Sequence, residues 1–209
     1  LAMKRSIFSL IQSFKDYEDI IHIYIDGKYK PDFSVIEITS VEKLQMVDIG
    51  SRPVKNVIPF VYENKMYLLD TFLSKIYELK EKEDTKEWYI EIFKELVPAS
   101  GISNEKYRGS TSPIHLHGSI YGCVVHDIIF NDNKKLMNRL AYMHHWMEFD
   151  IDLGIITFIS TPFWICHWGV EYVSGIDIDT NGKITLFIGI NDKLPIKAVT
   201  TLSDLRVGK

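Results

Sequence analysis

Two carboxylates sit where a charge is costly. Glu171 interrupts the apolar run Trp-Gly-Val-Glu-Tyr-Val-Ser-Gly-Ile, and Asp192 follows the apolar run Ile-Thr-Leu-Phe-Ile-Gly-Ile-Asn. An ionised group in such surroundings is paired, hydrogen-bonded or kept for chemistry. Carboxylates facing one substrate suit inverting glycoside chemistry, in which one acid protonates the leaving oxygen while water or phosphate attacks the opposite face. The structural alternative has Glu171 paired with Lys55 or Arg108.

A second group lies in Arg108–Asp127, RGSTSPIHLHGSIYGCVVHD. The Arg108 guanidinium offers bidentate hydrogen bonds to a carboxylate or phosphate. Gly109 lets a ligand approach the backbone. The alternative is a turn with Arg108 ion-paired at its rim. His126-Asp127 reads either as an acid/base pair or as a turn cap at a strand end. His115 and His117, two apart, fall on one face of a regular strand and offer two imidazoles to a metal. A third ligand would come from His126, His144, His145 or His167, but no spacing fixes it, and no metal is assigned. Phe163, Trp164 and Trp168 form an aromatic cluster that serves a core or a sugar platform. Patterns for a serine-hydrolase elbow, a P-loop and a dinucleotide-binding turn are absent, and no cofactor is implied.

These residues need a scaffold. The 209 residues suffice for one sizeable core. A net charge of −4 argues against a nucleic-acid or anionic-membrane surface. Aromatic residues at 12% fit sheets. Cys123 and Cys166 fit no zinc or disulfide framework and read as buried thiols of a reducing, cytoplasmic compartment. The apolar run after Lys4-Arg5 is broken by Ser9, Gln12 and Ser13, so it reads as neither a signal peptide nor a membrane span.

Residues 5–19 are expected to form a short helix, with Ile7, Leu10, Ile11 and Phe14 on one face. Strands 20–25 and 34–38 should form a hairpin, and 43–50 a further strand. Strands 57–62 and 65–71 flank the turn pair Glu63-Asn64. The stretch 74–96 fits either a helix or strands at 75–80 and 87–94; the rhythm of hairpins favours strands. Beyond the central stretch come a loop at 131–134, a strand over 140–150, and strands at 155–159, 163–167, 170–178 and 183–190, with Asn181-Gly182 as a turn. A last strand and a polar end complete the chain. Short strands with frequent turns predict one all-β domain over 1–209, built of antiparallel hairpins as a sandwich, barrel or propeller.

Several segments, taken in order, resemble the C-terminal part of five-bladed β-propeller proteins of carbohydrate metabolism. These are propeller glycosidases, mannoside phosphorylases, and related propellers attached to sugar-transfer domains. The pieces are VKNVIPFVYENKMYLL, RGSTSPI, VVHD, and GVEYVSGIDI followed by LFIGINDK, spread over residues 50–195. The resemblance implies that Lys55, Asn56, Arg108, His126, Asp127, Glu171 and Asp192 converge at the propeller centre, where family members bind sugar or phosphate. Two departures stand out. The chain is short for five complete blades, and Asp127 stands where Glu is usual.

The expectation is therefore a β-propeller, complete or partial, that binds a carbohydrate or sugar phosphate. As an enzyme it would cleave, phosphorolyse or transfer a glycan, with Glu171, Asp192 and Asp127 as candidate catalytic carboxylates. Lys55, Asn56, Arg108, His126 and Trp168 would bind substrate. Its partners would be the carbohydrate and either a second copy or a sugar-transfer domain, with no nucleic acid and no membrane. Two alternatives stand beside it: a non-catalytic glycan-binding or assembly module, and a metal-dependent hydrolase using the histidines around 115–126.

Overall fold

The computed structural model describes residues 56–85, 87–102, 107–130, 140–166, 170–191 and 193–207, and the backbone of five short strands before them. The described chain is nearly all β. The short strands are β1 (Ile11–Gln12), β2 (Ile21–His22), β3 (Gly27–Tyr29), β4 (Ile36–Ile38) and β5 (Gln45–Met46). β1 pairs with β2 and β3 with β4, both antiparallel.

Three larger sheets follow, each an up-and-down run of antiparallel strands. The first holds β6 (Ile58–Tyr62), β7 (Lys65–Asp70), β8 (Lys75–Glu81) and β9 (Trp88–Glu95). Glu63 and Asn64 both adopt positive φ, 47° and 59°, which gives the two-residue turn the twist that joins β6 to β7. At the next turn the Asp70 carboxylate accepts the amides of Phe72 and Leu73. The charged stretch 74–96 is therefore two strands and a turn. Ile76 and Ile90 are almost wholly buried.

The second sheet contains β10 (Val97–Pro98), β11 (Arg108–Gly109), β12 (Ile114–His117), β13 (Ile120–Phe130), β14 (Leu140–Asp150) and β15 (Ile155–Ile159). β13 and β14 pair without interruption from Ile120–Asp150 to Phe130–Leu140. The third sheet is β16 (Glu171–Ile178), β17 (Lys183–Ile190) and β18 (Leu194–Thr201). Its first turn has Gly182 at φ 78°, braced by the Asp179 carboxylate, which accepts from Asn181 and Lys183.

The sheets stack in chain order. Ile58, Phe60, Tyr67, Leu69 and Ile76 of the first meet Tyr121, Cys123, Val125, Met147 and Phe149 of the second. The other face of the second sheet carries Val124 and Trp146, which meet Val173, Ile184, Leu186 and Ile188 of the third. Alternation along β13 thus feeds two cores. Trp146 lies over Gly122 on the neighbouring strand, where an added Cβ would fall 2.1 Å from its ring. Burying a side chain of this size contributes about 3 kcal/mol.

One linking device recurs. β5 precedes β6 and lies parallel to β9, and β10 precedes β11 and lies parallel to β15. Each of these short strands sits at the edge of its sheet opposite the strand that follows it in the chain. At the far end β18 leads into α1 (Leu202–Leu205), closed by a reciprocal Thr201–Asp204 capping box. Arg206 then grips the buried Glu148 through Nε and Nη2, at 2.6 and 2.8 Å, while Trp146 Nε1 donates to the same carboxylate.

Several expectations are corrected. Ile11–Gln12 is strand, where a helix over 5–19 was expected; the rest of that stretch lies outside the described residues. β2 pairs back to β1, so the next hairpin is β3–β4 instead of 20–25 with 34–38. Residues 163–166 contribute only a single bridge between Phe163 and His144. β13 runs on past His126-Asp127, which are therefore mid-strand. Cys123 is buried as expected, but Cys166 is exposed. Among the described residues the large sheets form a stack of three, and a closed ring of five is not seen.

Candidate functional site

One edge strand of each of the three sheets, β6, β11 and β16, comes to a shared cavity of about 340 Å³. Asn56 and Pro59 line it from the first sheet, Gly109, Ser110 and Ser112 from the second, and Tyr172 and Ser174 from the third. Gly109 is required by this convergence. A Cβ there would lie 2.4 Å from the Ile58 side chain and 2.5 Å from the Asn56 carbonyl oxygen. Asn56 itself sits at φ 62°, a left-handed conformation that Asn tolerates better than most residues.

The run after Gly109 leaves regular pairing. The amides of Ser110 and Thr111 both donate to the Val124 carbonyl, at 3.3 and 3.2 Å, and the Thr111 hydroxyl accepts the Val124 amide at 3.0 Å. Thr111 is thereby tied to the backbone, while Ser110 and Ser112 line the cavity.

Ser110 Oγ lies 2.8 Å from His126 Nδ1. The imidazole is only 2% exposed and is flanked by the rings of Tyr142, at 4.8 Å, and Tyr172, at 5.8 Å edge-on. Burial above all, then His144 and the Arg108 charge, pushes the His126 pKa down to about 3. The ring is neutral at pH 7. A base this weak is poorly matched to activating a hydroxyl for attack, so the contact orients Ser110. Arg108 is the register partner of His126 and is exposed, and its guanidinium makes no hydrogen bond or ion pair among the described residues.

The other expected residues separate. Glu171 is fully buried, and its carboxylate accepts the amides of Ile165 at 3.0 Å and Cys166 at 2.8 Å. Its neighbour Tyr172, not Glu171, lines the cavity. Asp127 alternates with His126 on β13, so the two side chains leave opposite faces. The Asp127 carboxylate accepts the Ile128 amide. Lys55, Trp168, His167 and Asp192 lie outside the described residues. Asn191, next to Asp192, donates its amide to the Val170 carbonyl at 2.7 Å, which fixes the β17–β18 turn beside the start of β16.

His115 and His117 are both exposed, while Ile114 and Leu116 between and beside them pack on the core shared with the third sheet. A bulge shifts the register between them, with His115 opposite Tyr121 and His117 opposite Ile120. His115 Nε2 is 2.9 Å from the Gly118 carbonyl. No group of three metal-ligating side chains gathers among the described residues. Trp164 is 46% exposed.

Ser110, Ser112, Tyr172 and Ser174 are site residues that sequence reasoning missed. The small polar run Gly-Ser-Thr-Ser-Pro at 109–113 was the available signal. His144 was considered only as a metal ligand. It is fully buried, and neither ring nitrogen has a hydrogen-bond partner among the described residues. Burial is the main cause that lowers its pKa, to about 4, with Glu171 opposing.

No protein-family model matches the chain, and no curated protein matches it. No helix among the described residues is long and apolar enough to cross a membrane.

Proposed function

We propose that this chain is a β-propeller-type domain that binds a carbohydrate or sugar phosphate in the cavity where β6, β11 and β16 meet. The observation that carries the proposal is the lining. Three serines, a tyrosine and an asparagine supply hydroxyl and amide groups, and no ionised side chain lines the cavity among the described residues. Such a surface suits a ligand rich in hydroxyls. Arg108, on the strand forming one wall, is an exposed cation whose guanidinium has no ion pair among the described residues, and it suits an anionic substituent. Stacked up-and-down sheets, with the recurrent parallel link, support a propeller-type arrangement.

The geometry favours binding over catalysis, because Glu171 is spent on two backbone amides. A catalytic version assigns the general acid to Asp192, beside a turn anchored to Val170. A thermal-shift screen against sugars, sugar phosphates, nucleotide sugars and inorganic phosphate tests the proposal, since a ligand of the folded state raises Tm. A shift that Arg108→Ala abolishes for the phosphorylated ligands, and Tyr172→Ala for all, is expected. No shift in well-folded protein would contradict it. Turnover that is lost in Asp192→Asn with binding retained would establish the catalytic version.

A further inference from the structure

We propose that Ser110 and Ser174 present hydrogen-bond acceptors to the cavity, so that the ligand offers neutral hydroxyl groups there and not phosphate oxygens, and that His126 is the positioning residue that sets this polarity. The inference rests on the binding role proposed above and narrows it to the chemistry of one wall.

A serine hydroxyl has one proton and two lone pairs, so the partner that takes its proton decides what remains for a ligand. The Ser174 hydroxyl donates to the Phe187 carbonyl at 3.2 Å. A carbonyl only accepts, so the proton of Ser174 is committed and its lone pairs face outward. Ser110 is arranged alike. Its Oγ lies 2.8 Å from Nδ1 of a buried, neutral imidazole, which carries one N–H and one bare nitrogen. The commoner form of a neutral imidazole keeps its proton on Nε2. Nδ1 then accepts from Ser110, which turns the lone pairs of Ser110 to the cavity. The intervening hydroxyl, Thr111, is held by the Val124 amide and does not compete.

Two acceptor oxygens on the walls of one cavity attract O–H donors and repel phosphate oxygens, which are acceptors themselves. A sugar hydroxyl fits between them. An anionic group on the same ligand belongs at Arg108.

Calorimetric titrations of the full chain test this, with the methyl glycosides of glucose, galactose and mannose as one set of probes and inorganic phosphate as another. At least one glycoside should bind, and Ser110→Ala should weaken it about three- to ten-fold, the range for one uncharged hydrogen bond. His126→Leu should weaken it by the same factor. His126→Asn, whose amide oxygen can stand in for Nδ1, should restore it. Phosphate affinity should fall in Arg108→Ala and not in Ser110→Ala. Nitrogen-15 NMR of His126 should place the proton on Nε2. A proton on Nδ1, equal glycoside affinity in wild type and Ser110→Ala, or phosphate binding that depends on Ser110 would overturn the inference. Failure of every probe to bind would instead remove the carbohydrate role itself, while the nitrogen-15 spectrum would still decide the polarity of the Ser110 contact.

Discussion

His126 and His144 stand directly opposite each other on β13 and β14, both buried against the third sheet, and among the described residues only the His126 ring has a hydrogen-bond partner. Two adjacent imidazoles in a dry setting must both stay neutral. Their folded pKa values, about 3 and about 4, lie below the ordinary 6.5.

The sign of the pH effect follows. Between pH 6.5 and about 4 the unfolded chain binds more protons than the folded one, so stability falls as pH drops through that window. At pH 5, His144 alone costs about 2 kcal/mol relative to neutral pH. Melting curves at pH 7 and pH 5 should therefore diverge, and His144→Phe should narrow the gap. Equal gaps in wild type and variant would show that the buried ring does not titrate as described.

Gly109 and Gly122 separate damage to the cavity from damage to the core. A methyl at Gly109 collides with Ile58 and the Asn56 carbonyl at the cavity wall, whereas one at Gly122 collides with Trp146 between the second and third sheets. Each alanine variant should lose about 1–3 kcal/mol in a denaturant titration. Only Gly109→Ala should also weaken ligand binding, measured under conditions where both variants are folded.

The C-terminal strap is anchored by charge. Arg206→Ala leaves Glu148, nearly inaccessible to solvent, with Trp146 as its remaining partner. A loss of about 1–3 kcal/mol is expected, the range for a charged hydrogen-bonding group deprived of partners. Chemical denaturation of the variant measures it, and ligand affinity should hold steady.

Glu171→Gln tests what the buried carboxylate is for. Glutamine presents one acceptor and one donor where two amide donors converge, so the 165–166 turn loses a bond. The variant should unfold more easily, by about 1–3 kcal/mol, and any turnover of the folded fraction should persist. Loss of turnover at unchanged stability would return Glu171 to the catalytic role.

Local features were the legible part of the sequence. Glu63-Asn64, Gly118 and Asn181-Gly182 marked turns because positive φ is confined to few residue types, and alternating apolar residues marked the strands between them. The bulge between His115 and His117 left no trace, since nothing in the residue types says where one extra residue enters a strand. Asn56, Ser110 and Tyr172 are distant in sequence and meet only because three sheets stack with the edge strands β6, β11 and β16 together. Glu171 looked chemical because it interrupts an apolar run. The interior explains it as well, through two backbone amides that periodicity does not reveal.

The central claim is that a carbohydrate occupies the cavity between β6, β11 and β16. Backbone-amide NMR of the labelled chain, titrated with the sugar giving the largest thermal shift, tests it most directly. Saturable shifts are expected at Asn56, Gly109, Ser110, Ser112, Tyr172 and Ser174, and none in β9 and β15, far across their sheets from the cavity. Shifts centred elsewhere, such as around exposed Trp164, or no saturable shifts at all, would contradict it.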